Sequence, residues 1–217
     1  TPLAILPLGT ANVLARELGV PVDLDAACAL IAGDFATCAV DAMKVADRYF
    51  FTQVGVGIDA LMIRDTKKEH KKRFGRVAYL WTGLKALVGF QPRRFRLEID
   101  GRPLVTRASQ ILVANSGTLG QPPLVWGPDI RPDDGKVDVC VIRARTVWDY
   151  ARLSWNVLRR THRDDPKLHY FVASRSVAIR SSKPLPVQGD GEIVGETPAL
   201  VEVVPGAVQV VVPRRKG

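Results

Sequence analysis

Cysteine, histidine and long apolar runs are scarce in this sequence. Among 217 residues there are three cysteines and three histidines. Cys28, Cys38 and Cys140 are widely spaced and never form a Cys-x-x-Cys pair, which argues against a disulfide framework or a zinc site and fits a reducing compartment. His70, His162 and His169 lack metal-binding spacing. No apolar stretch approaches the ~20 residues a bilayer-spanning helix needs, and there are no internal repeats or low-complexity tracts. Acidic residues are also short, 22 Asp and Glu against 31 Lys and Arg, for a net charge of +9. That balance suits an anionic partner (nucleotide, nucleic acid or anionic membrane surface) or else a solvated basic face. Nucleic acid is disfavoured, because aromatics do not interleave with basic residues on any predicted sheet face.

What is present suffices for a globular core, with 47% hydrophobic and 24% charged residues. Residues 4–8 form a short apolar run ending at Gly9, and a helical pattern follows from Ala11 to Leu18, stopped by Gly19 and Pro21. A second helix runs from Asp23 or Asp25 to Gly33. This opening reads as the tail of an α/β unit. After Asp34 the texture turns to strands, predicted at 37–45, 49–57, 94–99, 103–108, 110–115, 137–143, 169–173, 177–181, 185–189, 199–204 and 207–212. Asp100-Gly101 and Pro205-Gly206 read as hairpin turns. Helices are expected at about Ala60–Lys71, Arg76–Phe90 and Val147–Arg160. The fold class is mainly β with α, a sandwich or barrel-like β domain behind an α/β tail.

Several short motifs can carry chemistry, each with a plainer alternative. Gly9-Thr10-Ala11-Asn12 stands where a strand meets a helix N-terminus, which suits an anion; Thr10 or Asn12 either caps the helix or holds a phosphate oxygen. Gly55-Val56-Gly57-Ile58-Asp59-Ala60 lacks the third glycine of a dinucleotide fingerprint, so it is a strand-to-helix turn or a close ligand approach. Asp133, Asp134 and Asp138 surround a glycine turn, able to hold Mg²⁺ or Ca²⁺ or simply to be solvated. Asp190-Gly191-Glu192 sets two carboxylates on a turn, either for a hydroxyl proton or metal or as an acidic hairpin tip. The basic run Arg64–Arg73 precedes an apolar helix with Tyr79 and Trp81, which suits a membrane interface or an ordinary core helix.

The order of these motifs is more specific than any one of them. The succession P-x-G-T-x-N, G-x-G-x-D-A, N-S, D-D-G-x-x-D and D-G-E, from Ile5 to Pro213, resembles the bacterial diacylglycerol kinase and lipid kinase family, whose relatives include sphingosine, ceramide and, more distantly, NAD kinases. The resemblance implies a Rossmann-like ATP-binding domain whose end is residues 1–34, and a β-sandwich domain over 35–217 whose last strands are free to return to the first. It implies an ATP- and Mg²⁺-dependent transfer of the γ-phosphate to a lipid hydroxyl. Glu192 matches the family's general base and Asp190 its companion in the metal and phosphate network. Gly9, Thr10 and Asn12 match the nucleotide-phosphate motif, and Asp134 with the Val137 backbone a structural Mg²⁺ position. The Tyr79–Phe90 helix falls where lipid-facing elements occur. Family members are cytoplasmic, meet the membrane peripherally, and are compatible with homodimers.

Two departures stand out. The phosphate-cradling G-G-D-G-T loop does not occur in residues 1–217; Gln188-Gly189-Asp190-Gly191 looks like it in the wrong place. The chain, opening on Thr1, therefore reads as a C-terminal portion, expected to bind ATP poorly and to turn over little or not at all by itself. The family's glycine cluster after Asn115-Ser116 is here Gly120-Gln121-Pro122-Pro123, a stiffer loop expected to alter which lipid is admitted. The alternatives are a kinase of a soluble hydroxyl compound such as NAD, and a non-catalytic lipid- or membrane-binding module.

Overall fold

A computed structural model describes residues 1–9, 11–69, 92–118 and 129–214. Two six-stranded antiparallel sheets make up most of it. The first contains β1 (Phe35–Val45), β2 (Arg48–Phe50), β4 (Arg93–Ile99), β5 (Arg102–Ala108), β9 (Ser176–Ser181) and β12 (Ala199–Pro213), in the order β2-β1-β12-β9-β4-β5. The second contains β3 (Gln53–Gly57), β6 (Gln110–Ala114), β7 (Val137–Ile142), β8 (Leu168–Ala173), β10 (Pro186–Gly189) and β11 (Glu192–Glu196), in the order β11-β10-β3-β6-β7-β8. Among the described residues four α-helices accompany them: α1 (Val13–Glu17), α2 (Leu24–Ala32), α3 (Ile58–Glu69) and α4 (Val147–Leu158).

The two sheets are written differently in sequence because they are buried differently. On β4, Arg94, Arg96 and Glu98 alternate with buried Phe95, Leu97 and Ile99, so one face of the first sheet meets solvent. β6 and β7 are instead near-continuous apolar runs, Ile111-Leu112-Val113-Ala114 and Val139-Cys140-Val141-Ile142. Their inward residues join Met43, Phe95, Val177 and Ile179 in one core between the sheets. Their outward residues meet a second layer, in which Ile142, Ala144 and Leu168 pack with Leu153 of α4. Thr146 begins α4 with a reciprocal capping box to Asp149, fixing where the helix starts. Burial pushes the Cys140 thiol upward, as expected of a core cysteine.

Most expected elements are present, and five differ. The strand expected to end at Gly9 does not form: residues 4–8 carry no strand, and Leu3 makes only an isolated bridge to Val210. The helix expected from Ala11 is one short turn, Val13–Glu17, because Asn12 sits in the left-handed region (φ 48°) and its side chain does not cap. The strand expected over 49–57 is broken into β2 and β3 by a bend at Phe51-Thr52. β11 was not expected at all; its Glu-Ile-Val-Gly-Glu pattern is too mixed to signal a strand. Pro205-Gly206 is not a hairpin: β12 passes through it as one strand, and both halves pair with β1. The register slips by two residues there, with Val40 opposite Val208 but Ala42 opposite Val204, so the pair forms a bulge facing Asp41. The Arg76–Phe90 helix, Thr10 and the Gly120–Pro123 loop lie outside the described residues.

Candidate active site

Asp190 and Gly191 are the two-residue tip between β10 and β11, both at positive φ (47° and 88°), as a tight hairpin turn demands. The Asp190 carboxylate accepts the amides of Phe51, Thr52 and Gln53 at 2.8, 3.0 and 2.9 Å, and the Thr52 hydroxyl. Its own amide donates to the Gln53 carbonyl at 3.0 Å. This clamp accounts for the break in the strand expected over 49–57: the amides of 51–53 serve a carboxylate instead of a neighbouring strand. Glu192 follows, exposed, with Oε2 2.7 Å from Nη2 of Arg48. Arg48 in turn lies 5.4 Å from the centre of the Phe50 ring. Phe50 needs a glycine beside it, since a Cβ on Gly189 would fall 2.4 Å from that ring.

Beneath the turn, a line of buried polar groups leads to a cavity. Gln188, at 0% exposure, accepts the Gly191 amide on Oε1 (3.0 Å) and donates from Nε2 to Oδ2 of Asp59 (3.0 Å). Asp59, in the first turn of α3, also accepts the Ala60 amide at 2.6 Å, and its own amide donates to Oε1 of Gln110 at 3.2 Å. Burial raises the Asp59 pKa, opposed by hydrogen bonds from Gln110, Gln188 and the Ala60 amide. Gly55 leaves the room for this arrangement, because a Cβ there would stand 2.0 Å from Oδ2 of Asp59 and 2.7 Å from Nε2 of Gln188.

Asp59, Gln53 and Gln110 form the polar end of a cavity of about 520 Å³ whose other walls are Ile58, Leu112, Ile142 and the inner side of α4, with Tyr150, Leu153, Val157 and Leu158. Its size lies in the range of small-molecule sites, and a mostly apolar wall with a few polar groups at one end suits an amphiphile. The Tyr150 hydroxyl is buried, and burial raises its pKa.

A second network reaches the Asp-rich turn. Asn115, fully buried, donates from Nδ2 to the carbonyls of Asp41 (2.9 Å) and Phe51 (3.0 Å), and from its amide to the carbonyl of Thr52 (2.9 Å). The buried Asp41 carboxylate accepts the amides of Gly135 (2.6 Å) and Gly206 (2.7 Å), so it pins the Asp-rich turn against the β12 bulge. The bend held by Asp190 and the turn carrying Asp134 are therefore linked through two buried side chains.

Among the described residues, no three His, Cys, Asp or Glu side chains stand together as a metal site. Asp134 is exposed at the start of β7, with Oδ1 accepting the Lys136 amide at 3.0 Å. A Mg²⁺ there would rest on one carboxylate, the Val137 backbone and water, a hard-oxygen mix that Mg²⁺ accepts. Asp138 beside it is pushed up to about 6, by burial first and then by Asp134.

The N-terminal motif behaves otherwise than expected. Oδ1 of Asn12 accepts the Gly9 amide (2.9 Å) and Nδ2 donates to the Pro7 carbonyl (3.1 Å), so Asn12 latches the loop that precedes it. Gly9 itself is exposed. At the far end of α1, Glu17 accepts the hydroxyls of Ser116 (2.9 Å) and Thr118, tying the helix to the loop after β6.

The sequence shows Asp59 only as part of a glycine motif and Gln188 only as part of a look-alike of the phosphate loop, while Asp41 and Gln110 carry no motif. Their signal is a lone polar residue at a buried strand position, Asp41 between Val40 and Ala42, or Gln188 after Val187. That pattern marks a satisfied interior group without naming its partner.

The fold is thus an antiparallel two-sheet sandwich in which an acidic turn is wired by buried hydrogen bonds to a mostly apolar cavity. The YegS C-terminal NAD kinase beta sandwich-like domain matches residues 52–212, and the diacylglycerol kinase catalytic domain matches residues 1–45; the chain belongs to the diacylglycerol and lipid kinase family. It is 27% identical to a diacylglycerol kinase of Bacillus subtilis over 99% of this chain and 70% of that protein. An uncharacterized protein of Synechocystis sp. is also 27% identical, over 98% of this chain, which spans only 49% of that relative's length. The fold is shared with the crystal structure of a diacylglycerol kinase from Bacillus anthracis, at a TM-score of 0.72 and 24% identity, covering 96% of this chain and 68% of that one. Among the described residues no helix is long and apolar enough to cross a membrane.

Proposed function

We propose that this chain supplies the acceptor side of an ATP-dependent lipid kinase of the diacylglycerol kinase type. The observation that carries this reading is the buried hydrogen-bond line from Asp59, at the polar end of an apolar cavity, through Gln188 to the Asp190–Glu192 turn. Apolar walls accommodate acyl chains, and the polar end receives the acceptor's hydroxyl region. Glu192, exposed and paired with Arg48, takes the hydroxyl proton; the freed oxygen forms its bond to the γ-phosphorus of ATP as the bond to the ADP oxygen breaks. Asp190 acts as a positioning residue, because its carboxylate is engaged by four donors of the bend it holds. Gly9, Thr10 and Asn12 contribute on the nucleotide side. Asp134 and the Val137 backbone would hold Mg²⁺, which would supply charge neutralisation at the transferred phosphate. The protein works at the cytoplasmic face of a membrane.

The test is γ-phosphate transfer from ATP to a panel of lipids in mixed micelles by the protein as encoded, beside Glu192→Gln. A loss of roughly 10²–10⁴-fold in kcat with unchanged thermal stability is expected of a general base. An unchanged rate would remove Glu192 from the chemistry. Phosphorylation of a soluble hydroxyl compound that is indifferent to detergent would favour the alternative substrate class.

A further inference from the structure

The inner side of α4 walls the cavity, but its outer side is covered by no described residue. Trp148 is 84% exposed, Trp155 58% and Leu158 52%. The two tryptophans are seven residues apart, so they share one stripe of the helix. Arg159 lies on the same stripe with its guanidinium 5.7 Å from the Trp155 ring centre. Exposed Trp at this density is unusual on a surface that stays in water. Two of the chain's four tryptophans are on this one helix.

Charge decides the partner. From Arg143 to Lys167 there are seven basic residues and three acidic ones. The acids are largely committed within the fold. Asp149 closes the capping box. Asp165, 1% exposed, accepts from Arg152 and Asn156. Arg143, Arg145, Arg159 and Arg160 thus flank an aromatic stripe, which matches an anionic bilayer: the rings enter the headgroup layer and the guanidinium groups meet lipid phosphates.

We infer that the outer stripe of α4, Trp148, Trp155 and Arg159, is the surface by which the protein docks on an anionic membrane. Leu158 and Ser154 are exposed and also line the cavity, so its rim lies on the docked edge. An apolar ligand could then pass from bilayer to cavity without crossing water. The inference deepens the lipid kinase reading, and its test needs no phosphoryl transfer.

Sedimentation of the protein with phosphatidylcholine vesicles containing 30 mol% phosphatidylglycerol, without ATP, is compared for wild type, Trp148→Ala/Trp155→Ala and Arg159→Glu/Arg160→Glu. Circular dichroism checks folding, which exposed positions should leave intact. Both double variants should lose roughly tenfold or more in partitioning, and wild-type binding should weaken as salt rises. Brominated lipid should quench wild-type tryptophan emission, and the Trp148→Ala/Trp155→Ala variant should lose most of that quenching although Trp81 and Trp126 remain. Binding by the tryptophan variant equal to wild type would overturn the inference. So would a concentration-dependent dimer abolished by that variant while vesicle binding persists, which would assign the stripe to a second copy. Docking through α4 without lipid phosphorylation in micelles would leave this inference standing and sink the kinase reading; micellar phosphorylation with α4-independent binding would do the reverse.

Discussion

Each sheet of the sandwich ends one hairpin in Asp-Gly, and the two tips are built alike. Asp100 and Gly101 have positive φ (50° and 85°), as do Asp190 and Gly191. The Asp100 carboxylate collects the amides of Ser174, Arg175 and Ser176 at 2.8, 2.8 and 2.9 Å, with the Ser174 hydroxyl at 3.1 Å. Asp190 does the same for Phe51 to Gln53. In both, an aspartate on a tight turn organises the backbone of a neighbouring bend. The tips differ in what lies behind them: at one a polar cleft lined by Arg102, Phe171 and Arg175, and at the other Glu192 and Gln188, whose buried hydrogen bonds lead to a mostly apolar cavity. The clamp is a structural device, and its wiring is what turns one copy into a candidate active site.

The sharpest way to break this comparison is to remove both clamps. Asp190→Ala should lower kcat on lipid by about 10²-fold through misplacement of the Glu192 turn. Asp100→Ala should leave kcat within about twofold, and each should cost roughly 1 kcal/mol of stability by denaturant unfolding. Equal activity of the two variants would erase the distinction.

Gly55→Ala should come next. Its Cβ would enter the space of Asp59 and Gln188, costing about 1–3 kcal/mol and cutting activity. Gly101→Ala meets no atom within 4 Å but sits at φ 85°, so it should cost about 1–2 kcal/mol of stability and no activity. Thermal melts beside a lipid kinase assay separate the two.

Acid titration sharpens the structural tip. Burial pushes the Asp100 carboxyl up, but the amides of Ser174, Ser176 and Arg175 and the Ser174 hydroxyl outweigh it and hold the pKa at about 2. A carboxyl depressed on folding stabilises the fold above its unfolded pKa near 4, and the benefit is lost as pH falls toward 2. Tm measured between pH 6 and 2 should fall less steeply in Asp100→Asn than in wild type over that window. The smallest effect is expected of Arg48→Gln, which breaks an exposed ion pair and should change stability by less than about 1 kcal/mol. It should affect kcat far less than Glu192→Gln.

Legibility in the sequence followed the range of the interactions. Asp100-Gly101 was readable as a turn because the dipeptide alone satisfies two positive φ values. The alternation along β4 and the solid apolar runs of β6 and β7 were readable because burial imposes its period directly. Pro205-Gly206 was misread as a hairpin for the same local reason. The dipeptide suits a turn, but the pairing of both halves with β1, together with the amide of Gly206 donating to Asp41 165 residues away, keeps β12 in one piece. The break in the strand expected over 49–57 is likewise imposed by Asp190 from across the chain. The outer stripe of α4 was overlooked because its inward and outward faces both carry large apolar residues, and only packing tells them apart.

The sequence by itself determined the strand-rich class, the two tight Asp-Gly tips, the start of α4 at Val147 and, through the order of its motifs, the family. Each of these rests on neighbours in the chain or on the spacing of short segments. Tertiary structure alone decided that Gln188 bridges Asp59 to the Asp190–Glu192 turn, that Asp41 and Asn115 link two distant turns, and that a cavity opens beside α4. A hydrogen bond between residues more than a hundred positions apart leaves no period in the sequence; it exists only once two sheets have packed and fixed which polar groups share the interior.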